Sequence, residues 1–297
     1  MISKRFVFII IGIFLITPVL QAEPAVESDQ QISEFSLAGY GEKGKKTWDL
    51  AGKSADIFTD VVKLKDIIGN LYGEKEDIKL TADKGNFNKT DGNVHVEQNV
   101  VITTSSGAKL TTDSLDWDRK NNLITTKDVV NIERDNMITV AQGALGQPGL
   151  NKVNLEKAVR VQINPQANAA QKEPAEEDKT IITCDGPLEI DYEKNIATFK
   201  NNVKVDRTDS QIYSDMMDVY FGKTQEKKIG EPDKAPTVMG SKIDKIIARG
   251  NVKIVRGENV SYSDEAVYSA TDKKITLLGS PKLIIYSAEE FNASSGN

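Results

Sequence analysis

The residues able to do covalent or metal chemistry are few. His95 is the only histidine and Cys184 the only cysteine among 297 residues. A transition-metal centre built on imidazole or thiolate needs three or four such ligands, so it is excluded by number. A serine or cysteine nucleophile needs a histidine base oriented by a third group. His95 alternates with Val94 and Val96, which turns it to the polar face of a strand, as a bystander in solvent. Carboxylate pairs occur at Asp116 and Asp118, Asp206 and Asp209, and Glu289 and Glu290. They fall at turns or strand ends, where Asp forms turns and acidic side chains are solvated. Cys184 follows Ile181 and Ile182 and reads as a small packed hydrophobe. These observations point away from an enzyme and imply no cofactor and no metal. The catalytic alternative is a repeating polysaccharide-cleaving β-helix, which would stack repeats of one length without a long polar interruption.

What the chain does supply is an apolar repeat. From Phe87, apolar residues recur 7, 9, 13 and 15 positions later at Val94, Val96, Val100 and Ile102. From Trp117 the same offsets give Ile124, Thr126, Val130 and Ile132, and from Ile190 they give Ala197, Phe199, Val203 and Val205. From Tyr268 they give Ile275, Leu277, Pro281 and Leu283. Two weaker copies run Val153, Leu155, Val159, Val161 and Ile246, Ala248, Val252, Ile254. Offsets two apart are strand periodicity with one apolar face, and His95, Arg160, Lys204 and Lys253 alternate onto the other face. Thr90-Asp91-Gly92-Asn93, Arg119 to Asn122, Tyr192 to Asn195 and Thr271 to Lys274 supply turn chemistry before a strand. Shorter joints at Gln98-Asn99, Asn201-Asn202 and Arg249-Gly250-Asn251 precede the last strand of each copy. The chain is therefore all-β, built of many short antiparallel strands. Residues 57–68 have partial helical spacing, yet Val62-Lys63-Leu64 alternates and the β-branched content favours strand.

Lys4 and Arg5, the apolar run Phe6 to Ile16, then Pro18 and Ala22 have the order of a secretory signal. Cleavage after Ala22 is expected, giving a periplasmic protein. The alternative is an uncleaved anchor associated with the inner membrane. With Lys4 and Arg5 taken from its 38 basic residues, 36 stand against 44 acidic, a net charge of −8. Such a chain repels a phosphate backbone, so nucleic acid is not an expected partner. Asn164 to Lys179 is polar, Pro/Ala-rich and aperiodic, as a linker is. Lys223 to Lys242 carries Gly230, Pro232, Pro236 and Gly240 and reads as a long loop. The expected organisation is a signal over 1–22, a β-jelly-roll domain over 32–163, a linker over 164–179, a second such domain over 180–290 and a disordered tail over 291–297. With no helices to cover it, the apolar face must close on itself as a sandwich, jelly roll or solenoid. Its Val- and Ile-rich interior is either a packed core or a trough that admits a lipid chain, and patterning alone leaves both open.

Several segments resemble known families. Phe35 to Tyr40, Gly44 to Trp48-Asp49-Leu50 with Ala55, Leu80-Thr81-Ala82-Asp83-Lys84-Gly85, Asp91-Gly92-Asn93-Val94 and Leu110 to Asp118 resemble the LptC family of lipopolysaccharide-export proteins. Ala248-Arg249-Gly250-Asn251-Val252-Lys253-Ile254, Asp264 to Tyr268 and Ile275 to Pro281 are similar to the LptA/OstA family. The resemblance implies twisted, open β-jelly rolls in tandem that cradle the acyl chains of lipopolysaccharide (lipid A). It also implies head-to-tail stacking at edge strands, with other bridge subunits or with itself. An inner-membrane lipopolysaccharide-export ABC transporter would supply lipid and an outer-membrane translocon would accept it. Members of these families are separate proteins, whereas here the two are joined. The lipid-facing residues expected on this reading are Val94, Val96, Val100, Ile102, Ile124, Val130, Ile132, Val159, Val161, Phe199, Val203, Val205, Val252, Ile254, Ile275, Leu277 and Leu283. The rival is a structural or adhesive protein that assembles through β-edges without binding lipid.

Overall fold

A computed structural model describes residues 28–41, 44–73, 76–147, 152–164, 179–222, 243–272 and 274–286. The signal segment, nearly all of the 164–179 linker, the 223–242 insertion and the 291–297 tail lie outside the described residues. The first strands are β1 (Gln30–Tyr40), β2 (Lys46–Ile57), β3 (Val61–Tyr72), β4 (Asp77–Asn88) and β5 (Val94–Thr104). Next come β6 (Lys109–Asp118), β7 (Leu123–Arg134), β8 (Met137–Gln147) and β9 (Lys152–Ile163). After the polar segment follow β10 (Thr180–Cys184), β11 (Leu188–Asp191), β12 (Ile196–Arg207) and β13 (Ser210–Phe221). The last are β14 (Ile243–Arg256), β15 (Asn259–Ser269), β16 (Lys274–Leu278) and β17 (Lys282–Ile284).

The described strands form one antiparallel meander in which each pairs with its chain neighbour from β1 to β9. The meander continues across the polar segment. β10 and β11 together occupy a single position between β9 and β12, separated by Asp185, Gly186 and Pro187. The sheet then runs through β13, β14 and β15, and β16 and β17 share the last position beside β15. Residues 57–68 are not a helix: they form the end of β2, a turn closed by the Phe58 N–H to Val61 carbonyl bond of 2.9 Å, and the start of β3.

The repeat has a direct explanation in the register. Its start and the residue seven positions later are cross-strand partners flanking a turn: Phe87 opposite Val94, Trp117 opposite Ile124, Ile190 opposite Ala197 and Tyr268 opposite Ile275. The short joints expected inside each copy are corrected by the structure. Gln98-Asn99, Asn201-Asn202 and Gly250-Asn251 sit within β5, β12 and β14 as pairs at positive φ. Two such residues bulge from the strand, shift the register and return the chain to the same face. Their polar side chains look like a turn because Asn and Gly tolerate this conformation better than other residues. Each bulge is clamped from the preceding position of the sheet, by Asn99 to Asp83 (2.6 Å), Asn202 to Asp185 (2.5 Å) and Asn251 to Asp215 (2.8 Å).

Two apolar clusters fill the inside. One gathers Ala55, Leu64, Ile67, Ala82, Val96, Val100 and Leu115 from β2 to β6. The larger begins at Val130 and ends at Ala266, and it includes residues from both sides of the polar segment, among them Leu155, Val159, Leu188 and Phe199.

Candidate functional site

The inner face can be followed strand by strand. Val96 lies opposite Leu115, Leu188 opposite both Leu155 and Phe199, and Phe199 opposite Met217. Met217 pairs with Ala248, Ala248 with Ala266 and Ala266 with Leu277. Beside the bulges the pairing is of large with small, all buried: Val100 with Thr112, Val130 with Ala141, Val159 with Cys184, Val203 with Ser214 and Val252 with Ser263. Large against small lets two walls of one sheet approach.

Among the residues expected to face the interior, Val96, Val100, Val130, Val159, Val161, Phe199, Val203, Val205 and Val252 are buried. Val94, Ile102, Ile124, Ile132, Ile254 and Leu277 are half-buried along the margins of the column. Ile275 and Leu283 share the inner face by register but are 51% and 59% exposed, because among the described residues no further strand lies beside β16 and β17. The opposite end is similar: Ile32 and Leu37 on β1 are 44% and 55% exposed. Offsets counted from one strand missed the facing residues Ile67, Leu115, Leu188 and Met217, which register alone supplies.

The interior is not wholly apolar. The hydroxyls of Thr139, Ser214 and Ser263 are buried without a hydrogen-bond partner. Arg134, the last residue of β7, is also buried, and it stands opposite Met137 on the inner face. It escapes a search for apolar periodicity, although it lies two residues beyond Ile132 and so shares its parity. Its Nη2 donates to Ser106 Oγ at 3.1 Å, and Ser106 donates to a Glu76 carboxylate oxygen. Cys184 is buried in the larger cluster, and burial pushes its thiol pKa up.

The outer face carries the charges. His95 projects outward between Asn86 and Asp116, but it is paired rather than an isolated bystander. Its Nδ1 lies 2.7 Å from Asp116 and its Nε2 3.8 Å from Glu97. It lines an open outer groove of about 540 Å³ with Lys63, Asn86 and Asp118. Further along, Arg249 bridges Asp218 and Glu265 across β13, β14 and β15, and Thr198 donates to Asp218 at 2.7 Å. Both carboxylates hold the Arg249 pKa up, Asp218 foremost. Among the described residues no group of three His, Cys, Asp or Glu side chains could hold a metal ion.

Two family models match the chain in succession. The first, described as lipopolysaccharide-assembly, LptC-related, matches residues 7–164. The second, described as LptA/(LptD N-terminal domain) LPS transport protein, matches residues 185–297. Both families have β-jelly-roll folds, and the antiparallel all-β sheet agrees with them. Among curated proteins, none matches the chain.

Proposed function

We propose, since the chain belongs to the LptC-related lipopolysaccharide-assembly family and continues into a second lipopolysaccharide-transport module, that its inner face shields lipid A acyl chains crossing the periplasm. Participation in lipopolysaccharide transport follows from membership. The finer role is supported by one observation above the rest: the apolar inner face runs through both modules within one sheet and is uncovered at its two ends. The covered column of Val100, Val130, Val159, Phe199, Val203 and Val252 would form the floor. Ile102, Ile124, Ile132, Ile254 and Leu277 along its margins would meet the acyl chains.

Burying one methylene gains roughly 0.8 kcal/mol, so a chain of a dozen carbons gains on the order of 10 kcal/mol in all. A one-sided trough realises part of that, which suits a ligand that must be handed on. Among the described residues, the first and last strands, β1 and β16–β17, have no partner on their outer sides. An unpaired edge is a template for another strand. In this reading one edge receives lipid from an inner-membrane ABC transporter assembly, and the other meets further bridge subunits, a second copy or the outer-membrane translocon.

The test is photo-crosslinking of lipopolysaccharide to the purified protein with crosslinking residues at Ile102, Val205 and outward His95. Adducts at Ile102 and Val205 but not His95 are expected. Absence of adducts at all three in a folded, β-rich protein would sink the carrier role and leave a β-edge assembly protein without lipid as the better account.

A further inference from the structure

Arg134 is the charged residue of the described chain most deeply set on the inner face, with 8% of its surface exposed. A buried guanidinium is costly unless its donors are used and its charge is met. Among the described residues each condition is met only in part. Of its five N–H donors, one on Nη2 reaches Ser106, and Nε is buried without a partner. The nearest carboxylate, on the exposed Asp135, stands 4.0 Å from Nε. Glu76 is reached only through the Ser106 hydroxyl.

A second unpartnered group lies on the adjacent strand. Thr139 faces Ile132 on the inner side of β8, two residues from the pair that Arg134 makes with Met137, and its Oγ1 is buried without a partner. Diagonal neighbours of this kind have side chains within common reach of one ligand group. Tyr192, in the turn after β11, packs against the same apolar cluster. Burial raises its pKa, while nearby Arg134 lowers it, so at neutral pH the phenol keeps its proton. Guanidinium, hydroxyl and phenol are all donors. The Glu76 carboxylate also acts on Tyr192, but it accepts from Ser106, which stands between it and Arg134.

We propose that Arg134 and Thr139, with Tyr192 beside them, form an anion site on the inner face that takes the phosphate of an acyl-bearing lipid. The assignment rests on the carrier reading above and names a polar group within it. The Arg134 Nε–H and a remaining Nη donor make the forked pair that suits phosphate oxygens, and the Thr139 hydroxyl donates a further bond. The acyl chains would run from this point along the column of Val130, Val159 and Val161.

The experiment uses the full chain and two amphiphiles of equal chain length, dodecyl phosphate and the uncharged dodecyl maltoside, each displacing a polarity-sensitive fluorophore. Dodecyl phosphate is expected to bind at least about tenfold more tightly. Arg134→Met should abolish that preference while changing dodecyl maltoside affinity less than about twofold, and Arg134→Lys should keep part of it. Should loss of Arg134 compromise folding, Thr139→Val, which keeps the shape and removes the hydroxyl, should still reduce the preference about threefold. An unchanged preference in a folded Arg134→Met protein would overturn the assignment and leave Arg134 as a bridge to Ser106. Inorganic phosphate should compete weakly; competition at equal concentration would assign a free-anion site and overturn the lipid head group. Failure of both amphiphiles to bind would instead remove the carrier reading on which the site depends.

Discussion

Phe199 is the largest fully buried side chain, held between Leu188 and Met217. Its replacement by Ala removes buried surface and leaves a cavity, so Phe199→Ala should cost about 3–5 kcal/mol in denaturant unfolding. Ile275→Ala, on the same face but half exposed, should cost less than about 1 kcal/mol. Equal losses would mean that the last strand is covered in solution. A second residue-level effect concerns pH. Asp49 accepts bonds from Lys46 (2.5 Å), Asn70 (2.6 Å) and Tyr72 (2.8 Å), and these, Lys46 first, hold its carboxyl down at about 2. A value below the unfolded one means stability that is present above the ordinary carboxylate pKa of 3.8 and is lost as pH falls from there through about 2. The β1–β3 end should therefore loosen over that acid interval. Carbon-13 NMR of the Asp49 carboxyl should show it titrating well below the usual range; titration near 3.8 would remove the effect.

At the scale of the element, the bulges decide how a strand is built. Asn201 and Asn202 hold φ values of 64° and 52° within β12, and their side chains reach the Gly186 carbonyl and the Asp185 carboxylate. β-branched residues resist this conformation, so Asn201→Val and Asn202→Val should each cost about 1–2 kcal/mol, and replacement by Gly should cost less. Urea unfolding of the variants checks the order; a Val variant as stable as the Gly variant would mean that the bulge is not specified locally. The paired Asp, at 83, 185 and 215, are thus structural partners of the next strand's bulge. Gly250 shows the same constraint from the other side, since a Cβ there would fall against the Asp215 carboxylate.

At the scale of the whole molecule, the sheet carries one continuous set of pairings across the polar segment. Thr180 faces Ile163, Cys184 faces Val159 and Leu188 faces Leu155, and the larger apolar cluster draws on both sides. The covalent link between the family modules is then secondary to the interface. With a protease site placed within 165–178, the cleaved halves should elute together by size exclusion and separate only on denaturation. Independent elution of two folded halves would show that the pairing depends on the chain connection.

Fold class was legible because strand periodicity is local: Val94, Val96, Val100 and Ile102 declare one apolar face whatever surrounds them. The scarcity of His and Cys bears equally directly on metal centres built on imidazole or thiolate, since composition limits such a site before any folding occurs. Register, by contrast, is a relation between strands. It alone showed that Gln98-Asn99 is a bulge rather than a turn, and that β10 and β11 complete the sheet begun by β9. Exposure depends on what lies beyond a strand, so Leu283 and Val205, at the same offset of their copies, end up uncovered and buried. Arg134 marks the limit most clearly. As one cation in an alternating strand it is unremarkable in sequence, and only the tertiary structure buries its Nε–H without a partner.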